Sequence, residues 1–210
     1  SQVLVLSTGE HVQLSSVSQG TNWTVTRGWN GTTAMSVPAN TTGVLKEHII
    51  NHTGSGTKFF DFEITSVLST NRQVGSNWWV GGALNLDGGF GNKAINLVIH
   101  NVGHPAIGFW DQGDGGEISG CIMWGNGMYD GEGGWIRGTS VYAQNSTGNV
   151  YLKNNIVFRN FTEGMQAYGT AASTKGFRFI NNITMMNPNG YGIAVWNAEV
   201  PMSDNACWTN

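Results

Sequence analysis

Five seven-residue windows superimpose along the chain without a gap: Ile95–Asn101, Gly120–Asn126, Asn154–Asn160, Asn181–Asn187 and Asp204–Asn210. Each ends in Asn, with steps of 25, 34, 27 and 23 residues between those asparagines, and Phe60–Ser66 fits the same frame with Ser66 in the Asn slot. Alternate positions are apolar: Leu97 and Ile99, Ile122 and Trp124, Ile156 and Phe158, Ile183 and Met185, Ala206 and Trp208. Period two over short runs means strand, with these residues facing inward. The same phase runs backward through Val150, Leu152 and Asn154, and through Phe177, Phe179 and Asn181, so a preceding inward-facing strand feeds each window. Carried forward, it sets Asn101, Asn126, Asn160, Asn187 and Asn210 on the interior side of a turn. Stacked amides there satisfy backbone groups that water cannot reach.

A second set of strands follows each window: Ile107–Asp111, Val141–Asn145, Met165–Gly169 and Ile193–Asn197. Ile107, Val141, Met165 and Ile193 form one inner column, and Phe109, Ala143, Ala167 and Val195 another. The outer columns are Trp110, Gln144, Tyr168 and Trp196, and beside them Gly108, Tyr142, Gln166 and Ala194. Asn145 is placed at an exposed turn. Repeats of this length, each with several short strands, predict an all-β solenoid, a right-handed single-stranded parallel β-helix of about six or more coils. It spans residues 48–210. Residues 1–47 do not join the repeat; Val3–Leu6, Glu10–Ser16 and Trp23–Thr26 read as strands of a small N-terminal β-hairpin module or cap.

Composition agrees with many strands and tight turns. Charged residues make up 11% of the 210, glycine accounts for 31 and proline for 4, so long helices are not expected. A formal net charge of -3 without any cluster of Lys and Arg in the sequence disfavours nucleic acid as a partner. No apolar run approaches the roughly 20 residues of a membrane span. Cys121 and Cys207 lack metal-ligand spacing and read as free thiols. Asn-X-Ser/Thr triplets begin at Asn22, Asn30, Asn40, Asn51, Asn145, Asn160 and Asn182, but a chain rich in Asn, Ser and Thr generates them by composition, and the repeat puts Asn160 inside. Glycine pairs such as Gly88-Gly89 lack the strand-to-helix setting of a phosphate loop. No cofactor is implied; calcium could enter only through loops.

The stretch 48–210 resembles the right-handed parallel β-helix superfamily, which includes pectate, alginate and chondroitin lyases, polygalacturonases and phage tailspikes. Ile95–His100, Ile107–Trp110 and Val141–Asn145 are similar to a bacterial and phage β-helix group. Where that group carries a His-Gly-His-Gly run, this chain carries Trp135–Val141. Trp23–Ala34 is similar to a short segment of phage tail-type structural proteins. The resemblance implies a polysaccharide-active protein, lyase or glycoside hydrolase, acting on an extracellular glycan and located outside the cell or on a virion. The alternatives are a non-catalytic glycan-binding or adhesive module and a structural component of a phage tail or extracellular surface.

A lyase needs a base and a cation for the substrate carboxylate, whereas a hydrolase needs two facing carboxyl groups. Asp111, Asp114, Glu117, Asp130 and Glu132 lie on Gly-rich connections, and Arg137 and Tyr142 follow in the longest coil, where inserted loops often build a binding face. The catalytic candidates are therefore Asp111, Glu132, Arg137 and Tyr142. Trp110, Tyr168 and Trp196 are candidates to stack on sugar rings, with Gln144 and Gln166 reading hydroxyl groups. His100 points outward, but four-residue spacing to His104 is not a one-face signal on a strand, and no metal site is assigned. Because Ala206 and Trp208 complete a repeat, a further coil or a second copy is expected over the C-terminal end.

Overall fold

The computed structural model describes residues 2–6, 10–17, 23–28, 32–37, 43–45, 48–65, 82–129, 136–170, 172–187, 192–195 and 202–208. The chain divides into two compact units, Ser1–Glu47 and His48–Asn210. In the first, Gln2–Leu6, His11–Val17, Trp23–Thr26 and Gly43–Leu45 form a four-stranded antiparallel sheet. Its buried acid is Glu10. The Arg27 guanidinium bonds to this carboxylate, and the backbone N–H groups of Gly28 and Met35 donate to it, holding its pKa down to about 2.

The second unit is a parallel β-helix. Its first sheet contains His48–His52, Gly82–Asp87, Ile107–Trp110, Val141–Gln144, Met165–Ala167 and Ile193–Val195. The second contains Lys58–Phe60, Lys93–Ile95, Gly116–Ser119, Val150–Lys153, Phe177–Ile180 and Met202–Ser203. The third contains Glu63–Thr65, Val98–His100, Ile122–Trp124, Ile156–Phe158, Ile183–Met185 and Ala206–Trp208. Each sheet has six strands among the described residues, and each coil contributes one strand to each. Every paired strand is parallel to its neighbour in these three sheets, so residue types repeat as columns. The two inner columns expected of the first sheet are present: Ile107, Val141, Met165, Phe109, Ala143 and Ala167 are fully buried, and Ile193 and Val195 pack against them.

The inward phase expected for the third sheet is reversed in most of its strands. Leu97 and Ile99 do face inward, but Met123 and Val157 are buried while Ile122 and Ile156 are 38% and 37% exposed. Trp124, Phe158 and Met185 also lie on the outer side, only half-buried. The cause is a corner residue. Between second and third sheets each coil inserts one residue in the left-handed region: Asp61, Asn96, Gly120, Asn154, Asn181 or Asp204, with φ between 51° and 66°. That residue turns the chain without adding to the alternation, so parity cannot be counted through it. The interior slot after it belongs to Cys121, Asn155, Asn182 and Asn205, not to Asn154 or Asn181.

A second left-handed residue follows the third sheet, at Asn101, Gly125, Arg159 and Met186, and resets parity again. Asn126, Asn160 and Asn187 are consequently buried as expected. Asn101 is not in their column. Val98 pairs with Ile122, so the slot of Asn126 is occupied one coil earlier by Val102, and Asn101 is at the turn. Ser66 and Asn210 lie outside the described residues.

Amide ladders line the corners. Asn155 Nδ2 donates to Asn182 Oδ1 (2.9 Å), and Asn182 Nδ2 donates to Asn205 Oδ1 (2.9 Å). At the next corner Asn160 Nδ2 donates to Asn187 Oδ1 (3.1 Å), and the Asn126 backbone N–H to Asn160 Oδ1 (3.1 Å). The corner between first and second sheets holds Asn92, Gln112 and Asn145. Asn145 is fully buried rather than exposed: it accepts from the Gly113 N–H and donates to the carbonyls of Thr147 and Lys175. With Asn145, Asn160 and Asn182 all interior, three of the seven sequons offer no surface for a glycan.

Candidate functional site

Three sheets give three outward faces, and their chemistry differs. The outward positions of the third sheet are Val98, Ile122, Ile156 and Ile183, flanked by His100, Trp124, Phe158 and Met185. His100 and Trp124 stack at 4.2 Å, and Trp124 and Phe158 at 5.6 Å, both nearly parallel. The rings therefore stack on each other, leaving mainly their edges outward. His100 also has both ring nitrogens engaged: Nε2 lies 2.6 Å from Glu63 Oε1, and Nδ1 lies 2.9 Å from Asn101 Nδ2. Both ring nitrogens are thus hydrogen-bonded to neighbours on this face.

The first sheet carries the predicted binding residues. Register places Gly108 beside Tyr142 and Trp110 beside Gln144, then Tyr142 beside Gln166. The Tyr168 N–H donates to the Ala143 carbonyl, which holds Tyr168 one rung beyond Gln144. Trp110 and Tyr142 rings are 4.9 Å apart and tilted by 45°, while Tyr142 and Tyr168 are 6.1 Å apart and tilted by 56°. Tilted rings leave faces partly open. Tyr168 is 44% exposed.

Upstream of this strip are residues that the alignment of repeats does not reach. Trp110 Nε1 donates to Asn85 Oδ1 (2.6 Å), and Asn85 Nδ2 donates to Asn51 Oδ1 (2.8 Å). The indole lies across Gly108, where an added Cβ would come within 2.5 Å of Asn85 Oδ1 and 2.9 Å of Trp110 Nε1. Glycine here is a clearance for the indole. Asp87 neighbours Trp110 on the preceding rung. A Gly two residues before Trp110 on its own strand was the available signal for this packing, but Asn85 and Asp87 lie outside the windows that define the repeat.

The catalytic candidates do not converge in the same way. Asp111 is exposed with φ of 46°, and its Oδ1 accepts from both the N–H and the hydroxyl of Ser146 in the following coil. It secures a turn. Asp114 accepts from the Asn149 N–H in the same manner, and Glu117 is engaged by Lys93 and Lys153. Burial pushes the Tyr142 phenol above its usual pKa, as does neighbouring Tyr168, against a hydrogen bond with Gln144. A raised phenol is a poorer base near neutrality. Arg137 ends a short antiparallel ribbon, Met128–Tyr129 with Ile136–Arg137, inserted in the longest coil; its side chain, Asp130, Glu132 and Trp196 lie outside the described residues. Among the described residues no group of three or more His, Cys, Asp or Glu could hold a metal, and no helix is long and apolar enough to cross a membrane. No family model, curated protein or solved structure matches the chain.

Proposed function

We propose that this protein binds an extracellular glycan along the outward face of its first sheet. The observation that carries the reading is the continuous strip of Trp110, Tyr142 and Tyr168 with Gln144 and Gln166 in register beside them. Aromatic faces meet the apolar faces of sugar rings, and side-chain amides pair with hydroxyl groups in both directions. The columnar spacing suits a repeating polymer. Adjacent rungs are separated by about 4.8 Å, so equivalent groups recur along one line.

The reading is of binding first. Asp111 spends an oxygen on a turn, and the raised Tyr142 phenol favours donation of a hydrogen bond over proton abstraction. Turnover as a lyase or hydrolase would draw on Arg137 and Glu132 in the inserted ribbon and its loop, and is the second activity to assay. Titration against neutral and acidic oligosaccharides, with Tyr168→Ala and Trp110→Ala beside wild type, tests the proposal. Each variant should lose about 1–3 kcal/mol of binding, the scale of ring stacking on bases. Equal affinity in wild type and both variants, or no binding to any glycan, would refute it.

A further inference from the structure

The outward face of the second sheet has a character of its own. Strand register aligns Lys58, Lys93, Glu117, Tyr151 and Arg178 in one outward column, and Ile95, Ser119, Lys153 and Ile180 in the next. Four of the ten Lys and Arg residues in the chain are thus on this one face, and among the described residues of these columns Glu117 is the single carboxylate opposing them. The outward columns of the other two sheets carry no Lys or Arg among the described residues. A protein of formal net charge -3 has segregated a net charge of +3 onto one flat surface.

Two of the cations are also held in place. Glu117 bridges two of them, with Lys93 Nζ and Lys153 Nζ each 3.0 Å from its oxygens, and a Ser119 hydrogen bond joins them. Burial acts against the Glu117 carboxylate, yet these bonds hold its pKa down to about 2, so the bridge is charged at neutral pH. Lys153 Nζ is 5.9 Å from the centroid of the Tyr151 ring. At the two ends of the column Lys58 is exposed and Arg178 donates to the neutral Asn149 amide, at 3.3 Å; among the described residues no carboxylate pairs with either. Ordered side chains lose less entropy when they take a ligand.

We propose that this face is an anion-binding surface for a linear acidic polysaccharide, lying along the coil axis and separate from the aromatic strip of the first sheet. From the rung of Lys58 to that of Arg178 is four steps, or about 19 Å. A nucleic-acid duplex would present about eleven charges over that length, at one per roughly 1.7 Å, against a net three here. A sugar polymer with one carboxylate or sulfate on every residue or every second residue presents a handful. Its charge density matches the face, and the half-buried Tyr151 and Asn149 stand at the edges to meet its hydroxyl groups.

The test uses the full chain and polygalacturonate as the acidic probe. Dextran, single-stranded DNA and phosphatidylserine–phosphatidylcholine vesicles serve as comparisons, with binding followed by calorimetry between 50 and 200 mM NaCl. Polygalacturonate should bind and weaken about 20-fold across that range, as release of counterions by three net charges gives at the slope of a single strand. Lys58→Ser combined with Arg178→Ser, neither of which touches the Glu117 bridge, should lose about tenfold at low salt. Glu117→Gln should bind several-fold more tightly, because it adds one net positive charge; a merely damaged fold would not produce that gain. The fold-loss between 50 and 200 mM NaCl should be the same in Trp110→Ala as in wild type, whatever affinity the aromatic strip adds, which separates the two faces. Salt-independent binding, tighter binding to DNA or vesicles, or no change in the double variant and in Glu117→Gln would overturn the proposal.

Discussion

Asn182→Ala puts the largest weight on the corner ladders. The Asn182 side chain accepts from the Asn155 N–H (3.1 Å) and from Asn155 Nδ2 (2.9 Å), and donates to the Leu152 carbonyl (2.8 Å) and Asn205 Oδ1 (2.9 Å). Truncation removes all four bonds in an interior that excludes water. Asn155 keeps one amide bond to the Ile118 carbonyl (3.1 Å), but the Asn155 N–H and the Leu152 carbonyl lose the side-chain partner that satisfied them. At about 1–3 kcal/mol for each buried orphan, the expected cost is about 3–5 kcal/mol, or roughly 6–20 °C in melting temperature for a chain of this size. Asn181→Ala is the matched control, since Asn181 is the neighbouring left-handed residue on the outside and should cost about 1 kcal/mol of backbone strain. Asn182→Asp adds a sign test. Burial without a cation raises the folded-state pKa above the unfolded value, so the native state binds the extra proton and the variant's deficit is full at pH 7, shrinking as pH falls toward 4. Urea unfolding of the three variants at both pH values supplies the measurement. If Asn182→Ala costs no more than Asn181→Ala, the ladder does not carry the stability assigned to it.

Two further outcomes follow from the same geometry. Asn145→Asp should destabilise by about 2–4 kcal/mol in thermal or urea unfolding, because a charge would face the carbonyls of Thr147 and Lys175, which now receive amide hydrogens; a near-neutral result would restore the exposed-turn reading. Gly108→Ala should push the Trp110 indole off Asn85 and change its fluorescence, with a stability loss of about 1–2 kcal/mol; an unchanged emission spectrum would show that the indole does not rest there.

That the chain repeats, that its elements are strands, and which strands stack on which are all legible along the chain. The alignment of Gly120, Asn154, Asn181 and Asp204 holds in the strand register, as do the columns led by Ile107 and Phe109. Those features are local: alternation within a strand and recurrence between coils both survive in one dimension. The outer strip of Trp110, Tyr142, Gln144, Gln166 and Tyr168 was legible for the same reason. Tertiary structure decided everything that crosses a corner. A single left-handed residue such as Asn154 or Asn181 shifts the parity of the next strand, which turned Met123 and Val157 inward, put Ile122 and Trp124 outside, and gave Asn155 and Asn182 the interior ladder. Asparagine occupies both the outer turn and the inner slot, because it tolerates the left-handed region and also satisfies buried backbone groups, so adjacent Asn residues do not reveal which is which. The charged face was hidden for a related reason. Lys58, Lys93, Lys153 and Arg178 are scattered over 121 residues of sequence, and only coiling at one strand per sheet per turn brings them onto one side.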